Sequence, residues 1–328
     1  MTPPVTPPRT TQAPWEFAAP WHARGYITQF DGPVHWIEFA AANTGENQDR
    51  STEPPIVFVH GLGGSHLNWC LIGPQLAATR RAFALDLHGF GLTPGTRGNS
   101  TVQANQRLLD RFVREVAGTP VILAGNSMGG LISLLQTAAA PDTVQGLVLL
   151  DPALPLPPTK PDWAVAGQFL LQAVPGIGEF YVRKTQTGQS PQVAVQRLIE
   201  LCFADPSRAD PAMVTASIAL ASQRQGEPGR ERTFLAASRS LLRVTGRRRR
   251  YWEMMAGVRV PVLLFGGDAD RLVPVAAIRQ AGARNPQWDT VVLAGVGHTP
   301  QLEVPDVVVG TVQDWLDRHF TRTVRQEQ

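Results

Sequence analysis

The chain has 328 residues, 43% of them hydrophobic and 17% charged, with a formal net charge of +3 at pH 7. That is apolar material enough for one large α/β domain carrying an insertion. The near balance of charge, with no broad basic stripe, argues against a nucleic-acid partner, and no apolar segment reaches the length of a membrane span. Residues 1–30 open with Met1-Thr2-Pro3-Pro4-Val5-Thr6-Pro7-Pro8-Arg9, which lacks the apolar core of a secretory signal and reads as a largely disordered tail. A cytoplasmic protein is the expectation that follows. Val34-His35-Trp36-Ile37-Glu38-Phe39 alternates and is rich in strand formers, as an edge strand would be. Residues 43–53 form a polar loop. Ile56-Val57-Phe58-Val59 and Ala82-Phe83-Ala84-Leu85-Asp86-Leu87 are continuous apolar runs, the mark of strands buried on both faces.

Residues 101–116 carry Val102, Leu108, Leu109, Phe112, Val113 and Val116 at helical spacing, with Ser100 or Thr101 as the cap. Val121-Ile122-Leu123-Ala124 predicts the next strand, followed by a turn and a helix to about residue 140. Leu147-Val148-Leu149-Leu150 predicts another strand. Prolines at 152, 155, 157, 158 and 161 then interrupt any regular helix. Residues 163–252 are helical in pattern, broken near 175–178 and 188–191, with no buried-strand run. Strand signals resume at Val260-Pro261-Val262-Leu263-Leu264-Phe265 and end with Thr290-Val291-Val292-Leu293, before a closing amphipathic helix over residues 305–320. Apolar strands alternating with helices imply a mostly parallel sheet covered by helices on both faces. The division that follows is a core of residues 31–152 and 256–320, a helical cap of residues 153–255 inserted over the carboxyl edge of the sheet, and a C-terminal tail of residues 321–328.

The chemistry centres on Gly125-Asn126-Ser127-Met128-Gly129-Gly130. Strand, sharp turn and helix in that order, with Gly-x-Ser-x-Gly at the turn, form a nucleophile elbow that pushes the Ser127 hydroxyl out above the sheet. A serine hydroxyl needs a base in contact with it, and the base needs an orienting acid. His298, in Gly295-Val296-Gly297-His298-Thr299-Pro300 just after the last strand, is the candidate base. A histidine base must be neutral to accept a proton, so activity should fall in acid. Asp270, in Gly266-Gly267-Asp268-Ala269-Asp270-Arg271-Leu272-Val273-Pro274, is the candidate acid; Asp268, read as a turn-shaping residue, and Asp151 are its rivals. The order nucleophile, acid, base suits this arrangement. The oxyanion site needs two backbone N–H donors, assigned to Met128 and to Leu62 in the loop His60-Gly61-Leu62-Gly63-Gly64-Ser65. His60 reads as a structural brace. Gly61, Ser65 and Trp69 are candidate substrate contacts, as are the aromatics Trp163, Phe169, Phe180 and Tyr181.

With His60-Gly61-Leu62-Gly63-Gly64, Asp86-Leu87-His88-Gly89-Phe90-Gly91, the elbow around Ser127, and Asp270 with His298, the chain resembles the α/β-hydrolase superfamily, in the group with a helical cap. The resemblance covers residues 34–320 and implies an α/β-hydrolase fold, a serine hydrolase acting on a carboxylic ester or related acyl compound, and a structural role for Asp86 to Gly91. Related epoxide hydrolases and haloalkane dehalogenases place aspartate at the elbow; serine here disfavours an alkyl-enzyme route. The elbow sequence is also seen in carbon–carbon hydrolases of meta-cleavage products, though their oxyanion loop differs, so that activity is the runner-up. A third reading is a non-catalytic small-molecule-binding protein on the same scaffold. No cofactor is expected. Two cysteines, Cys70 and Cys202, read as small buried apolar residues, and no Cys/His cluster has metal-ligand spacing, so no metal is expected. Arg247-Arg248-Arg249-Arg250 reads as a solvated face.

Overall fold

A nine-stranded sheet organises the chain in the computed structural model, which describes residues 8–40, 53–156 and 189–320. The strands are β1 (Thr10–Gln12), β2 (Ala23–Gln29), β3 (Pro33–Phe39), β4 (Ile56–Val59), β5 (Ala82–Leu85), β6 (Val121–Asn126), β7 (Val144–Leu150), β8 (Val262–Gly267) and β9 (Asp289–Leu293). They lie in the order β1-β2-β3-β5-β4-β6-β7-β8-β9. β1, β2, β3 and β5 pair antiparallel. From β5 through β4, β6, β7 and β8 to β9 every pairing is parallel.

Two sequence expectations need correction here. Residues 10–12 and 23–29 are strands and not a disordered tail, and β3 is an interior strand because β2 pairs along its whole length. The physical reason is that β2 (Ala-Arg-Gly-Tyr-Ile-Thr-Gln) needs only its backbone to extend the sheet. Trp36 fixes the join: its indole stacks on Tyr26 at 4.5 Å and its Nε1 donates to the Thr28 hydroxyl at 2.9 Å. The Pro-rich residues 1–7, residues 41–52 and the expected tail at 321–328 lie outside the described residues.

The central strands are apolar throughout because each side chain has a helix layer to meet. Val57, Val59, Leu123, Leu147, Leu149 and Leu264 point to one core, with α2 (Val102–Phe112), α3 (Met128–Ala139) and α8 (Val275–Arg284). Ile56, Phe58, Ile122, Val148, Leu263 and Phe265 point to the other, with α1 (Gly73–Leu76) and α10 (Pro305–His319). This is the two-residue alternation of a strand, doubled into two cores. Full burial of each such side chain stabilises by roughly 1.5–3 kcal/mol. Thr101 caps α2, its hydroxyl accepting from Ala104 N at 3.2 Å, which selects it over Ser100.

Between β7 and β8 the described residues contain helices and no strand: α4 (Pro191–Cys202), α5 (Pro211–Gln223), α6 (Arg230–Gly246) and α7 (Arg248–Ala256). Some of their contacts fall on loops that leave the carboxyl ends of the strands, and α6 also meets α2, where Ser240 Oγ accepts from Val102 N at 2.9 Å. Arg224 Nη2 donates to Gly89 O at 3.0 Å after β5, and Tyr251 Oη donates to Ala153 O at 2.6 Å after β7. Residues 247–250 are exposed; Arg249 pairs with Glu253 one turn on, at 2.8 Å, and Arg248 reaches the Leu156 carbonyl. Among the described residues no helix is long and apolar enough to cross a membrane.

Candidate active site

Ser127 sits where β6 ends and α3 begins, with φ 54° and ψ −117°. A non-glycine residue at positive φ is strained, and here the strain lifts the side chain out of the strand line. The turn is held by Ser127 N on Leu150 O at 3.1 Å and by Ala153 N on Ser127 O at 2.9 Å. Its tightness explains Gly129: a Cβ there would run into the Val59 carbonyl oxygen. Ser127 is half-buried at the N-terminus of α3, where backbone N–H groups and the helix dipole favour developing negative charge.

The loop after β4 runs against this turn. A Cβ on Gly61 would lie 3.1 Å from Ser127 Cβ, so the glycine lets the loop backbone approach the serine. Leu62 is half-buried and Met128 fully buried. Phe234 of α6 faces Gly63 of the same loop. His60 is a brace, as expected: its Nδ1 contacts Gly61 O at 2.8 Å and its Nε2 accepts from Leu87 N at 3.1 Å. Burial drives the His60 pKa down from 6.5 to about 4, so the ring is neutral at pH 7.

His298 and Asp270 meet. Nδ1 of His298 lies 2.7 Å from Oδ2 of Asp270, and both residues are buried. Asp270 Oδ1 accepts from Leu272 N at 2.7 Å and Val273 N at 3.1 Å. The rival Asp268 turns away and accepts from Gly295 N at 2.7 Å, shaping the histidine's loop. That loop is clamped on three sides. Asn126 Nδ2 donates to His298 O at 3.0 Å, His298 N donates to Cys202 O at 2.6 Å, and Gly297 N donates to Glu303 at 2.7 Å. The Glu303 side chain, fully buried on the short helix α9 (Pro300–Glu303), also accepts from Ala204 N at 3.1 Å, Asp205 N at 3.0 Å and Arg208 Nη1 at 3.1 Å. Asn126 and Glu303 were missed in the sequence. Asn126 lay inside the elbow motif and was legible as its variable position; nothing local marked Glu303.

The Asp86 segment forms a separate hub. Asp86 accepts from His66 N at 2.7 Å and Leu92 N at 2.8 Å, and its Oδ2 lies 2.8 Å and 2.9 Å from Nδ1 of His35 and His66. These three side chains bring ligand-type atoms within 4.8 Å of one another. Each Nδ1 is matched by the carboxylate and both remaining contacts of Asp86 are backbone N–H groups, so the set satisfies itself as a hydrogen-bond hub that ties β3, β5 and the segment after β4. Burial pushes the Asp86 carboxyl up, but His66 and His35 prevail and hold it well below the usual carboxylate range.

Ser65 and Trp69 both make contacts within the fold. The Ser65 hydroxyl caps a 3-10 turn at His66–Trp69, accepting from Leu67 N at 3.3 Å, while its own N–H donates to Asn68 Oδ1 at 2.7 Å. Trp69, expected as a substrate contact, is fully buried and stacks on Phe58 at 4.9 Å in the core. The candidate aromatics Trp163, Phe169, Phe180 and Tyr181 lie outside the described residues. Cys70 is buried and Cys202 partly so, both as free thiols.

Residues 56–311 match the model of a family described as alpha/beta hydrolase. One relative is the dihydrolipoyllysine-residue acetyltransferase component of the acetoin cleaving system of Pseudomonas putida, 26% identical over 81% of this chain and 64% of its own length. This chain therefore spans less than two thirds of that protein. Another is the pimeloyl-acyl-carrier-protein methyl ester esterase of Edwardsiella ictaluri, 28% identical over 80% of this chain and 93% of its own. Among solved structures, wild-type Cfl2 from Burkholderia cenocepacia superposes with a TM-score of 0.74 at 20% identity, covering 94% of this chain and 99% of that one.

Proposed function

The chain belongs to the alpha/beta hydrolase family, and from that premise we propose that it is a serine hydrolase cleaving a carboxylic ester or related acyl substrate through a covalent acyl-enzyme. Ser127 attacks the carbonyl carbon. His298 takes the hydroxyl proton and passes it to the leaving alcohol. Asp270 fixes the imidazole and stabilises its charged form. The Leu62 and Met128 N–H groups receive the oxyanion. Water, activated by His298 in its turn, releases the acid and restores Ser127.

The observation that carries this reading is the 2.7 Å contact of His298 Nδ1 with Asp270, made in a loop tied directly to the residue before Ser127. With Nδ1 occupied by the carboxylate, Nε2 is the nitrogen left to act as base. The relative named for methyl ester cleavage supports an ester as the bond. Hydrolysis of a panel of p-nitrophenyl esters tests the reading. Turnover by the wild-type chain should fall at least about a thousandfold in Ser127→Ala. Unchanged turnover in the variant would remove Ser127 from the chemistry, and turnover of a ring-cleavage diketone in preference to every ester would move the assignment to carbon–carbon hydrolysis.

A further inference from the structure

Asp151 is a buried carboxyl that the mechanism above does not use. It directly follows β7 with φ 42°, an unusual backbone for a non-glycine residue, and is fully buried. Its backbone N donates to Phe265 O at 3.1 Å, and its Oδ1 accepts from Gly267 N at 2.9 Å. These bonds hold the carboxyl at the end of β8, against the turn that presents Asp270, whose own N reaches Gly267 O at 3.4 Å. Its Oδ2 has no hydrogen-bond partner if the group is a carboxylate. A bare carboxylate oxygen buried without a donor, next to a second carboxylate, carries a large desolvation penalty.

Counting hydrogen bonds decides where the proton of this pair resides. Asp270 receives three donors: two backbone N–H groups and the His298 imidazole. Asp151 receives one. A carboxylate offers about four acceptor sites, so Asp270 has one left. We propose that Asp151 is carried as a neutral carboxylic acid whose Oδ2–H donates to the Asp270 carboxylate, making Asp151 a positioning residue for the acid that orients His298. The donation completes the shell of Asp270, fixes its carboxyl plane toward the imidazole, and accounts for the orphan oxygen. Burial first, and the charge of Asp270 second, drive the Asp151 carboxyl well above the usual range. Glu303 acts in the same direction; among the described residues, His298 and the Cys202 thiol are further titratable groups beside the pair.

This inference rests on the proposed hydrolase reading for its catalytic part but has a readout of its own. The infrared difference spectrum of wild type minus Asp151→Asn at pH 7 should show the carbonyl stretch of a protonated carboxylic acid. Asp151→Asn retains a donor and Asp151→Leu does not, so ester turnover should be lower in Asp151→Leu than in Asp151→Asn by about tenfold, mainly in kcat. The wild-type rate should also decline on the alkaline side as Asp151 ionises, and that limb should vanish in Asp151→Asn. No carboxylic-acid band, or equal losses in both variants with the wild-type pH profile, would overturn the proposal. A band in a wild-type protein that turns over no ester would instead count against the hydrolase reading and leave the carboxyl pair intact.

Discussion

The side-chain amide of Asn126 donates to the backbone carbonyl of His298 at 3.0 Å, across 172 positions of sequence. It donates equally to Leu150 O, which also receives Ser127 N. One amide thus locks the loop of the candidate base to the elbow of the candidate nucleophile. Asn126→Ala should leave the His298 carbonyl without that donor, costing about 1–3 kcal/mol of stability and roughly tenfold in kcat/KM. Urea unfolding and ester kinetics on the same preparation check both; a variant with wild-type kinetics would show that the loop is positioned without it.

Glu303 couples the inserted helices to the same loop. Its carboxylate gathers Gly297 N from the histidine loop and Ala204 N, Asp205 N and Arg208 from the segment after α4. Glu303→Gln replaces one acceptor oxygen with a donor facing N–H groups. The expected result is a loss of about 2 kcal/mol in stability and a drop in kcat, measured by denaturant melts and initial rates.

Asp270 and Asp268 separate by role. Asp270→Asn should reduce kcat by about a thousandfold or more, since the amide favours the wrong imidazole tautomer. Asp268→Asn keeps an oxygen for Gly295 N and should cost only a few-fold. Comparable losses in the two would erase the distinction drawn from their contacts.

Acid should destabilise the fold from about pH 6.5 downward, above the range in which ordinary carboxylates begin to protonate. Burial holds the folded-state pKa of His60 at about 4, against an ordinary value of 6.5. As pH falls through that window the unfolded chain takes up a proton that the folded chain refuses, so stability drops by up to about 3 kcal/mol. His35 is pushed the same way by burial. Asp86, held low, contributes stability above the ordinary carboxylate range and loses it only at still lower pH. Urea midpoints at pH 7 and pH 4.5 should differ less in His60→Gln than in wild type; an equal difference would place the acid sensitivity elsewhere.

What the sequence made legible follows from how local each signal is. Ser127 is announced by glycines within two residues of it, and His298 and Asp270 by loops directly after apolar strands. The Asp86 hub was half legible: its strand was plain, but its partners His35 and His66 stand 51 and 20 residues away and meet it only through sheet order. The place of Trp69 in the core was not legible, because its nearness in sequence to the loop after β4 says nothing of the 3-10 turn that sets it against Phe58. β1 and β2 were missed because Pro-rich, polar composition outweighed a strand whose stability comes from pairing with β3 more than from its own propensity.

The most direct test of the central claim, that Ser127 is made nucleophilic by His298, is intact-mass analysis after a fluorophosphonate probe, with peptide mapping. One adduct should form, on Ser127, and labelling should be lost in Ser127→Ala and strongly slowed in His298→Ala. A folded wild-type chain that takes no label, or takes it on another residue, would contradict the account.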